Sequence, residues 1–340
     1  MKPNILLIYT GGTIGMVKDF NSGALKAFNF KSLLSKIPEL QLINCNIVTA
    51  SFKIPMDSSN MNPDYWVDIV TIIENNYENY NGFVVLHGTD TMSYTASAIS
   101  FMLENLAKPV IFTGAQLPIG DLRTDAKENL LTAIQLASMQ DNGSALIKEV
   151  GVYFDYKLYR ANRTTKTNSE NFKAFSSLNY PYLVKSGVHL KINKTKLWRT
   201  SLSKQLIVHK KMDANVVVIK LFPGITEPIL THIFNAPGLK GVVLETYGSG
   251  NFITAPWFVS LLEKNIKKGI CIINVTQCVG GVVHMGEYET SVALKQVGVI
   301  SGKDLTTEAA VTKLMFLLGK KISAKALKIK YETSMCGELT

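Results

Sequence analysis

This sequence predicts a two-domain α/β protein built on parallel sheets, and three observations carry that prediction. Short runs rich in Val and Ile recur along the chain with little polar alternation, as parallel strands buried on both faces do. Segments with apolar residues three and four apart lie between them, so strand and helix alternate in a doubly wound order. A lysine-rich stretch without periodicity then interrupts the alternation past the middle of the 340 residues, a length suited to two domains of about 150 residues each.

The first run, residues 5–9, follows Met1-Lys2-Pro3-Asn4. One lysine ahead of apolar residues imitates a secretory leader. The apolar part is short, however, and enters Thr10-Gly11-Gly12-Thr13 without a small-residue cleavage site, so the first core strand of a cytoplasmic protein is expected. Asn62 and Pro63, an N-cap and an N1 proline, open a helix reaching about Tyr77. Residues 83–87 form the next strand. Met92, Ala96, Ile99, Leu103 and Leu106 mark one face of a helix that ends near Pro109. A strand at 110–113, a helix at 123–139 with Leu130, Ile134 and Ala137 inward, and a strand at 150–154 continue the series. The second half repeats it, with strands at 216–221, 241–244 and 270–275. Its helices are one with Ile229, Ile233 and Phe234 on its inner face, one at 256–267 and one at 306–318. The expected architecture is a larger N-terminal flavodoxin/Rossmann-like parallel-sheet domain over residues 1–190, carrying the chemistry. A linker at 191–213, a smaller C-terminal α/β domain at 214–330 and a tail at 331–340 complete it, the chain from Lys321 onward reading as a basic surface segment.

Composition removes several classes. A hydrophobic fraction of 46% and a charged fraction of 18%, against about 25% in ordinary domains, exclude bulk disorder. No apolar run approaches the roughly 18 residues that span a membrane. The net charge of +10 suits nucleic acid, a membrane surface or acidic substrates, but the positive residues are scattered. The densest cluster, 185–211, has Trp198 as its lone aromatic residue and reads as a solvated connector, so no nucleic-acid or membrane partner is expected. Cys45, Cys271, Cys278 and Cys336 form no C-x-x-C pair and read as buried free thiols of a reducing compartment. A zinc site from Cys271, Cys278 and His284 fits no standard ligand spacing, and no metal is expected.

Chemistry first becomes legible in Thr10-Gly11-Gly12-Thr13-Ile14-Gly15, directly after the first strand. A dinucleotide fingerprint fails there. The first glycine position holds Thr10, and Lys31 and Ser32 stand where an acidic residue should close the second strand. Glycines let a substrate approach the backbone and free N–H groups for an oxyanion, and a threonine hydroxyl among them serves as a nucleophile once a base activates it. A tight strand-to-helix turn explains the motif equally well. A second loop, His87-Gly88-Thr89-Asp90-Thr91-Met92, again sets hydroxyls at a strand end, beside a carboxylate that is otherwise a helix N-cap. His87 reads as a core histidine. Lys166, in Arg163-Thr164-Thr165-Lys166-Thr167-Asn168, is either a base whose pKa burial lowers or a surface lysine.

These stretches resemble the asparaginase/glutaminase family. Asp57-Ser58-Ser59-Asn60-Met61, Thr113-Gly114-Ala115-Gln116 and Asn162-Arg163-Thr164-Thr165-Lys166 share the likeness. It continues through Thr276-Gln277-Cys278 and Gly298-Val299-Ile300-Ser301-Gly302, over nearly the whole chain, and looks like the cytoplasmic bacterial type I branch. The resemblance implies hydrolysis of L-asparagine to L-aspartate and ammonia, without metal or cofactor. It implies that Thr13 attacks the side-chain amide to form an acyl-enzyme, with Thr89 as the alternative first nucleophile. Thr89, Lys166 and Asp90 form a relay, in which Lys166 is the base at a lowered pKa and Asp90 orients it. Asp90 also holds the substrate ammonium. Asp57, Ser58 and Ser59 bind the α-amino-acid end, Ser59 reaching its carboxylate, and N–H groups near Thr89 and Ala115 stabilise the oxyanion. Sites of the family lie between the N-domain of one subunit and the C-domain of another, which implies a homodimer or a dimer of dimers.

Two departures stand out. Relatives carry an activating tyrosine in the loop after the first strand, where this chain has Ala24 in Asn21-Ser22-Gly23-Ala24-Leu25. Tyr288, in Met285-Gly286-Glu287-Tyr288, is a candidate replacement donated by a neighbouring subunit; alternatively it packs at the dimer interface. Some type I enzymes bind a second asparagine as activator, with help from an arginine. Thr165, Thr276 and Cys278 match that effector-site pattern, but Glu245 stands at the arginine position and cannot pair with a carboxylate, so activation should be weak or absent. A subunit that frees ammonia for an aminoacyl-tRNA should carry an extension ahead of the first strand, where here the turn begins at Thr10. A non-catalytic amino-acid sensor needs no Thr13, Thr89 and Lys166 together, and a dehydrogenase is disfavoured by the broken glycine pattern.

Overall fold

A computed structural model describes residues 2–18, 25–27, 37–200, 204–286 and 289–340. Two compact units divide the chain at Lys210 and Lys211. In the first, the strands are β1 (Asn4–Gly11), β2 (Asn46–Met56), β3 (Gly82–Leu86), β4 (Val110–Thr113), β5 (Val150–Phe154) and β6 (Lys157–Arg160). A ribbon of β7 (Thr165–Lys166) and β8 (Phe175–Ser176) follows, then β9 (Val184–Lys185) and β10 (Lys191–Ile192). The main sheet runs β10-β9-β6-β5-β4-β3-β1-β2. Its five strands from β2 to β5 are parallel. β6, β9 and β10 join antiparallel through a hairpin at the end of β5. The parallel order 2-1-3-4-5 is that of a flavodoxin-like sheet, whose direction of winding reverses between β1 and β3. Ligand sites of such sheets lie beyond the strand ends at that reversal.

Helices α1 (Pro63–Asn76), α2 (Met92–Met102) and α3 (Ala126–Ser138) cover this sheet. Asn62 caps α1 by accepting from the Asp64 N–H at 3.0 Å, with Pro63 at the first position. Leu130, Ile134 and Ala137 of α3 are buried in one cluster with Leu7, Val84 and Ile111 of the central strands. β2 was not expected from the sequence. It forms the sheet edge, with Val48 and Ile54 exposed, so it lacks the continuous apolar run of β3 or β4. The stretch expected to link the domains instead contributes β10, and residues 207–208 pair with 103–104, within the first unit. Backbone hydrogen bonds at a sheet edge require no apolar periodicity, which is why that segment reads as irregular.

The second unit holds a fully parallel sheet, β11 (Val216–Lys220), β12 (Gly241–Thr246), β13 (Cys271–Thr276) and β14 (Ile300–Ser301), in chain order. Helices α4 (Glu227–Phe234), α5 (Pro256–Lys267), α6 (Glu289–Val297) and α7 (Thr307–Gly319) accompany it. Ile229, expected inward, is 57% exposed. The buried stripe of α4 is Leu230 and Phe234, one turn apart, which turns Ile229 away from the core. The region after Lys321 is also not merely a basic surface. α8 (Ala324–Tyr331) buries Leu327 and Tyr331, and Glu338 beyond it is buried against Lys313. No helix among the described residues is long and apolar enough to cross a membrane.

Candidate active site

The glycine turn after β1 is shaped by close backbone approach. Gly11 and Gly12 have φ of 132° and 87°, in the region that favours glycine. A Cβ on Gly11 would lie 2.0 Å from the Met56 carbonyl oxygen, and one on Gly12 would lie 2.5 Å from the Gly88 Cα. The turn bearing Thr13 and the loop bearing Thr89 are therefore in backbone contact. Thr13 itself opens a short 3-10 turn and is partly exposed.

Gly88 is closed on its other side by Ser58, whose Oγ a Cβ there would meet at 2.5 Å. Ser58 is buried within a single 3-10 turn, Ser58–Asn60, that Asp57 caps by accepting from the Ser59 N–H at 2.9 Å. The Thr91 hydroxyl donates to the Ser58 carbonyl at 2.7 Å and ties this turn to the β3 loop. Asp57 and Ser59 are exposed beside it. Three segments spread over some 75 residues of sequence thus meet at the reversal of the sheet.

Lys166 completes the cluster from the β7–β8 ribbon. Its Nζ donates to Thr89 Oγ1 at 2.8 Å and to Asp90 Oδ1 at 2.7 Å. Lys166 is therefore not a free surface lysine. Asp90 is not a helix cap either: the N-cap of α2 is Thr91, and the Asp90 carboxylate goes to the ammonium. Ala115 lies buried just past the end of β4.

His87 is fully buried, as expected of a core histidine. Its Nδ1 stands 2.7 Å from the Gly88 carbonyl oxygen, while Nε2 has no partner among the described residues. Burial pushes its pKa down to about 4, against the lesser opposing effect of the Gly88 hydrogen bond, so the ring is neutral near pH 7.

Gln116 has a role that the sequence does not reveal. Its Oε1 accepts from the Thr89 hydroxyl at 3.1 Å. Its Nε2 donates to the carbonyls of Ser169 and Asn171, at 2.9 and 3.2 Å. Those two acceptors fix which end of the amide faces Thr89. Thr89 thus accepts from Lys166 and donates to Gln116. Asp125 in turn accepts from the Gln116 and Leu117 N–H groups. The signal available was the stretch Thr113-Gly114-Ala115-Gln116; nothing in it tells that the glutamine reaches Thr89, 27 residues away.

The effector-pattern residues divide between the units. Thr165 pairs with Ser176 in the ribbon of the first. In the second, Thr276 Oγ1 accepts from the Cys278 N–H at 3.0 Å, and Cys278 is exposed. Glu245, at the end of β12, accepts from Thr307 Oγ1 at 2.5 Å and has Lys220 Nζ at 3.9 Å. Tyr288 and Ala24 lie outside the described residues. None of the four cysteines is in a disulfide. Cys45, Cys271 and Cys336 are half-buried and Cys278 is exposed, rather than all buried, because they sit at strand ends, loops and the tail. Among the described residues no group of three His, Cys, Asp or Glu side chains is disposed to hold a metal.

Comparison with known proteins gives the following. Residues 4–198 match the family model "Asparaginase, N-terminal", and residues 215–329 match "Glutaminase/Asparaginase C-terminal domain". The chain is 39% identical to L-asparaginase 1 of Escherichia coli K12 over 340 residues, covering 100% of this chain and 98% of that protein. It is also 39% identical to a 60 kDa lysophospholipase of Mus musculus, over 95% of this chain but 62% of that longer protein. The crystal structure of L-asparaginase I from Vibrio cholerae superposes with a TM-score of 0.90 at 38% identity, covering all of both chains.

Proposed function

This chain belongs to the asparaginase/glutaminase family, and from that premise we propose that it hydrolyses the side-chain amide of L-asparagine to L-aspartate and ammonia through a threonine nucleophile. The observation that carries the reading is Lys166 Nζ, bonded at once to Thr89 and Asp90, beside the glycine turn that presents Thr13. A hydroxyl attacks an amide only when a base removes its proton, and this cluster supplies that base without a histidine.

The steps follow in order. Thr13 Oγ1 attacks the amide carbon, and its proton passes by way of Thr89 to the neutral form of Lys166. The tetrahedral oxyanion is held by N–H groups of Thr89 and Ala115. Lys166 returns the proton to the amide nitrogen, the C–N bond breaks, and ammonia leaves an ester on Thr13. Water, deprotonated by the same relay, then attacks the ester carbon, the acyl bond to Thr13 Oγ1 breaks, the relay returns the proton to that oxygen, and L-aspartate leaves. Asp90 orients Lys166 and binds the substrate ammonium, while Asp57, Ser58 and Ser59 hold the α-amino-acid end. A second reading makes Thr89 the first nucleophile, favoured by its direct 2.8 Å bond to Lys166.

The oligomer we propose is a homodimer or a dimer of dimers in the cytoplasm, with Tyr288 of a neighbouring subunit taking the place of the absent loop tyrosine at Ala24. Glu245 argues for weak or no activation by asparagine, since its carboxylate is already engaged by Thr307 and would repel an effector carboxylate.

The test is ammonia release against L-asparagine concentration for the wild type, Thr13→Ala and Thr89→Ala. Hyperbolic release by the wild type, with each variant reduced by about three orders of magnitude or more, is the expected outcome. A covalent aspartyl adduct trapped on Thr89 rather than Thr13 would exchange the two roles. A sigmoidal curve would reinstate the effector site, and no release from asparagine would defeat the reading.

A further inference from the structure

Two carbonyl groups at the strand ends are gripped by buried side chains that the mechanism above does not use. His87 Nδ1 lies 2.7 Å from the oxygen of Gly88. Asn129 Nδ2, on α3, lies 3.0 Å from the oxygen of Gly114. Peptide units are planar and trans, so the C=O and N–H of one unit point in opposite directions. The Gly88 oxygen shares its unit with the N–H of Thr89, and the Gly114 oxygen shares its unit with the N–H of Ala115. Neither N–H makes a hydrogen bond among the described residues. The two units are neighbours. β3 and β4 pair Leu86 with Thr113, the His87 N–H donates to the Thr113 carbonyl at 2.9 Å, and a Cβ on Gly114 would lie 2.4 Å from the His87 oxygen.

We infer that His87 and Asn129 are positioning residues, which hold the two oxyanion-binding peptides from behind so that the N–H groups of Thr89 and Ala115 face out of the strand ends. The inference rests on the amidohydrolase reading, since an oxyanion forms only if an acyl carbon is attacked.

Each residue is otherwise hard to account for. His87 packs against Phe112 and is sealed from solvent, with Nε2 left unpartnered among the described residues. An apolar side chain would fill that place without stranding a ring nitrogen. The bond to a carbonyl puts the ring proton on Nδ1, and this donor is what an apolar residue could not supply. Burial keeps the ring neutral near pH 7, and the bond to the Gly88 carbonyl selects the Nδ1–H tautomer. Asn129, 1% exposed, has its amide orientation fixed by a second bond, from Nδ2 to Asp125 Oδ2 at 3.1 Å. A preorganised donor accelerates reaction because no reorientation is needed as charge develops. Side chains that aim the peptides should therefore act on the chemical step and leave substrate binding alone.

The experiment measures kcat and KM for L-asparagine with the wild type, His87→Leu, His87→Asn and Asn129→Leu, together with L-aspartate affinity by calorimetry. Wild-type ammonia release checks the underlying reading first; its absence would overturn that reading and this inference with it. With activity present, the leucine variants should lose on the order of 10- to 100-fold in kcat, with KM within about threefold and aspartate affinity kept. His87→Asn, which offers an amide N–H close to the place of Nδ1, should recover most of the rate. Leucine variants that keep wild-type kcat, or lose only in KM, would overturn the inference while the amidohydrolase reading stands. A His87→Asn variant as slow as His87→Leu would overturn it in the same way. Should the leucine variants fail to fold, His87→Asn is compared with His87→Met, and equal rates overturn the inference.

Discussion

Lys166 and Lys313 each meet a carboxylate at hydrogen-bond distance, yet the two pairs are built in opposite ways. Lys313 and Glu338 are both 0% exposed. The Lys313 ammonium spends its protons on the carbonyls of Tyr331 and Thr333 and on Glu338 Oε1. Glu338 accepts further from the N–H groups of Met335 and Cys336. Burial alone would raise the Glu338 carboxyl, but the Lys313 charge and these donors hold it below the usual carboxylate range. Every donor and acceptor is matched, so the pair fixes the last residues onto α7 and leaves no site for a substrate. Lys166 has 16% of its side chain exposed and its partner Asp90 has 64%. It shares its bonds with a hydroxyl, a group that can pass a proton on. The comparison teaches that a buried, saturated ion pair serves structure, whereas the same two groups left partly open at a strand end keep a hydroxyl within reach, as the proposed proton transfer requires.

Breaking each pair in turn should expose that difference, and the largest effect is expected at the open one. Lys166→Met should lower kcat/KM by about three orders of magnitude or more, while the midpoint of thermal unfolding moves by only a few degrees. Steady-state kinetics and a melting curve on the same sample check both halves. Lys313→Met should do the reverse. It strands a buried carboxylate and should cost about 3–5 kcal/mol of stability, measured by urea unfolding, with kcat near that of the wild type. Replacing both members, as Lys313→Met with Glu338→Leu, should restore much of the loss, because no charge is then left buried alone.

His87 sharpens the contrast, being sealed like the Lys313 pair yet placed at the strand end of the proposed active site. Its pKa falls from 6.5 to about 4 on folding, so between those values the unfolded chain binds a proton that the native protein does not. This contribution is complete above pH 6.5 and is lost as the pH falls toward 4. From about pH 7 to about pH 5 it should cost the wild type about 2 kcal/mol that His87→Asn does not lose, a difference read from urea midpoints at the two pH values. An equal acid loss in both proteins would show that the ring is not held neutral.

Legibility in the sequence follows burial on two faces. β3, β4, β5, β12 and β13 read clearly because strands covered on both sides are continuous apolar runs. β2 did not, since an edge strand with one solvated side carries mixed residues. The N-cap Asn62 and its following proline placed the start of α1 to the residue. In the site, Thr89, Asp90 and Lys166 are singled out by the sequence, and the structure brings them into direct hydrogen bonds. Gln116 and Asn129 are not legible, because what they do rests on hydrogen bonds to other segments, Gln116 to Thr89, Ser169 and Asn171 and Asn129 to Gly114, and such bonds leave no periodic trace.

What the sequence determined by itself is the local chemistry: where strands end, which turns need glycine, and which hydroxyls and carboxylates stand there. Each depends on residues a few positions apart, through steric and hydrogen-bonding preferences that act along the chain. Only the tertiary structure decided which of those ends meet. The strand order 2-1-3-4-5 sets the Thr13 turn against Gly88, brings Lys166 to Asp90 and puts a buried side chain behind each of two peptides. These contacts join positions tens of residues apart, and the order in which strands pair, rather than any local preference, selects them.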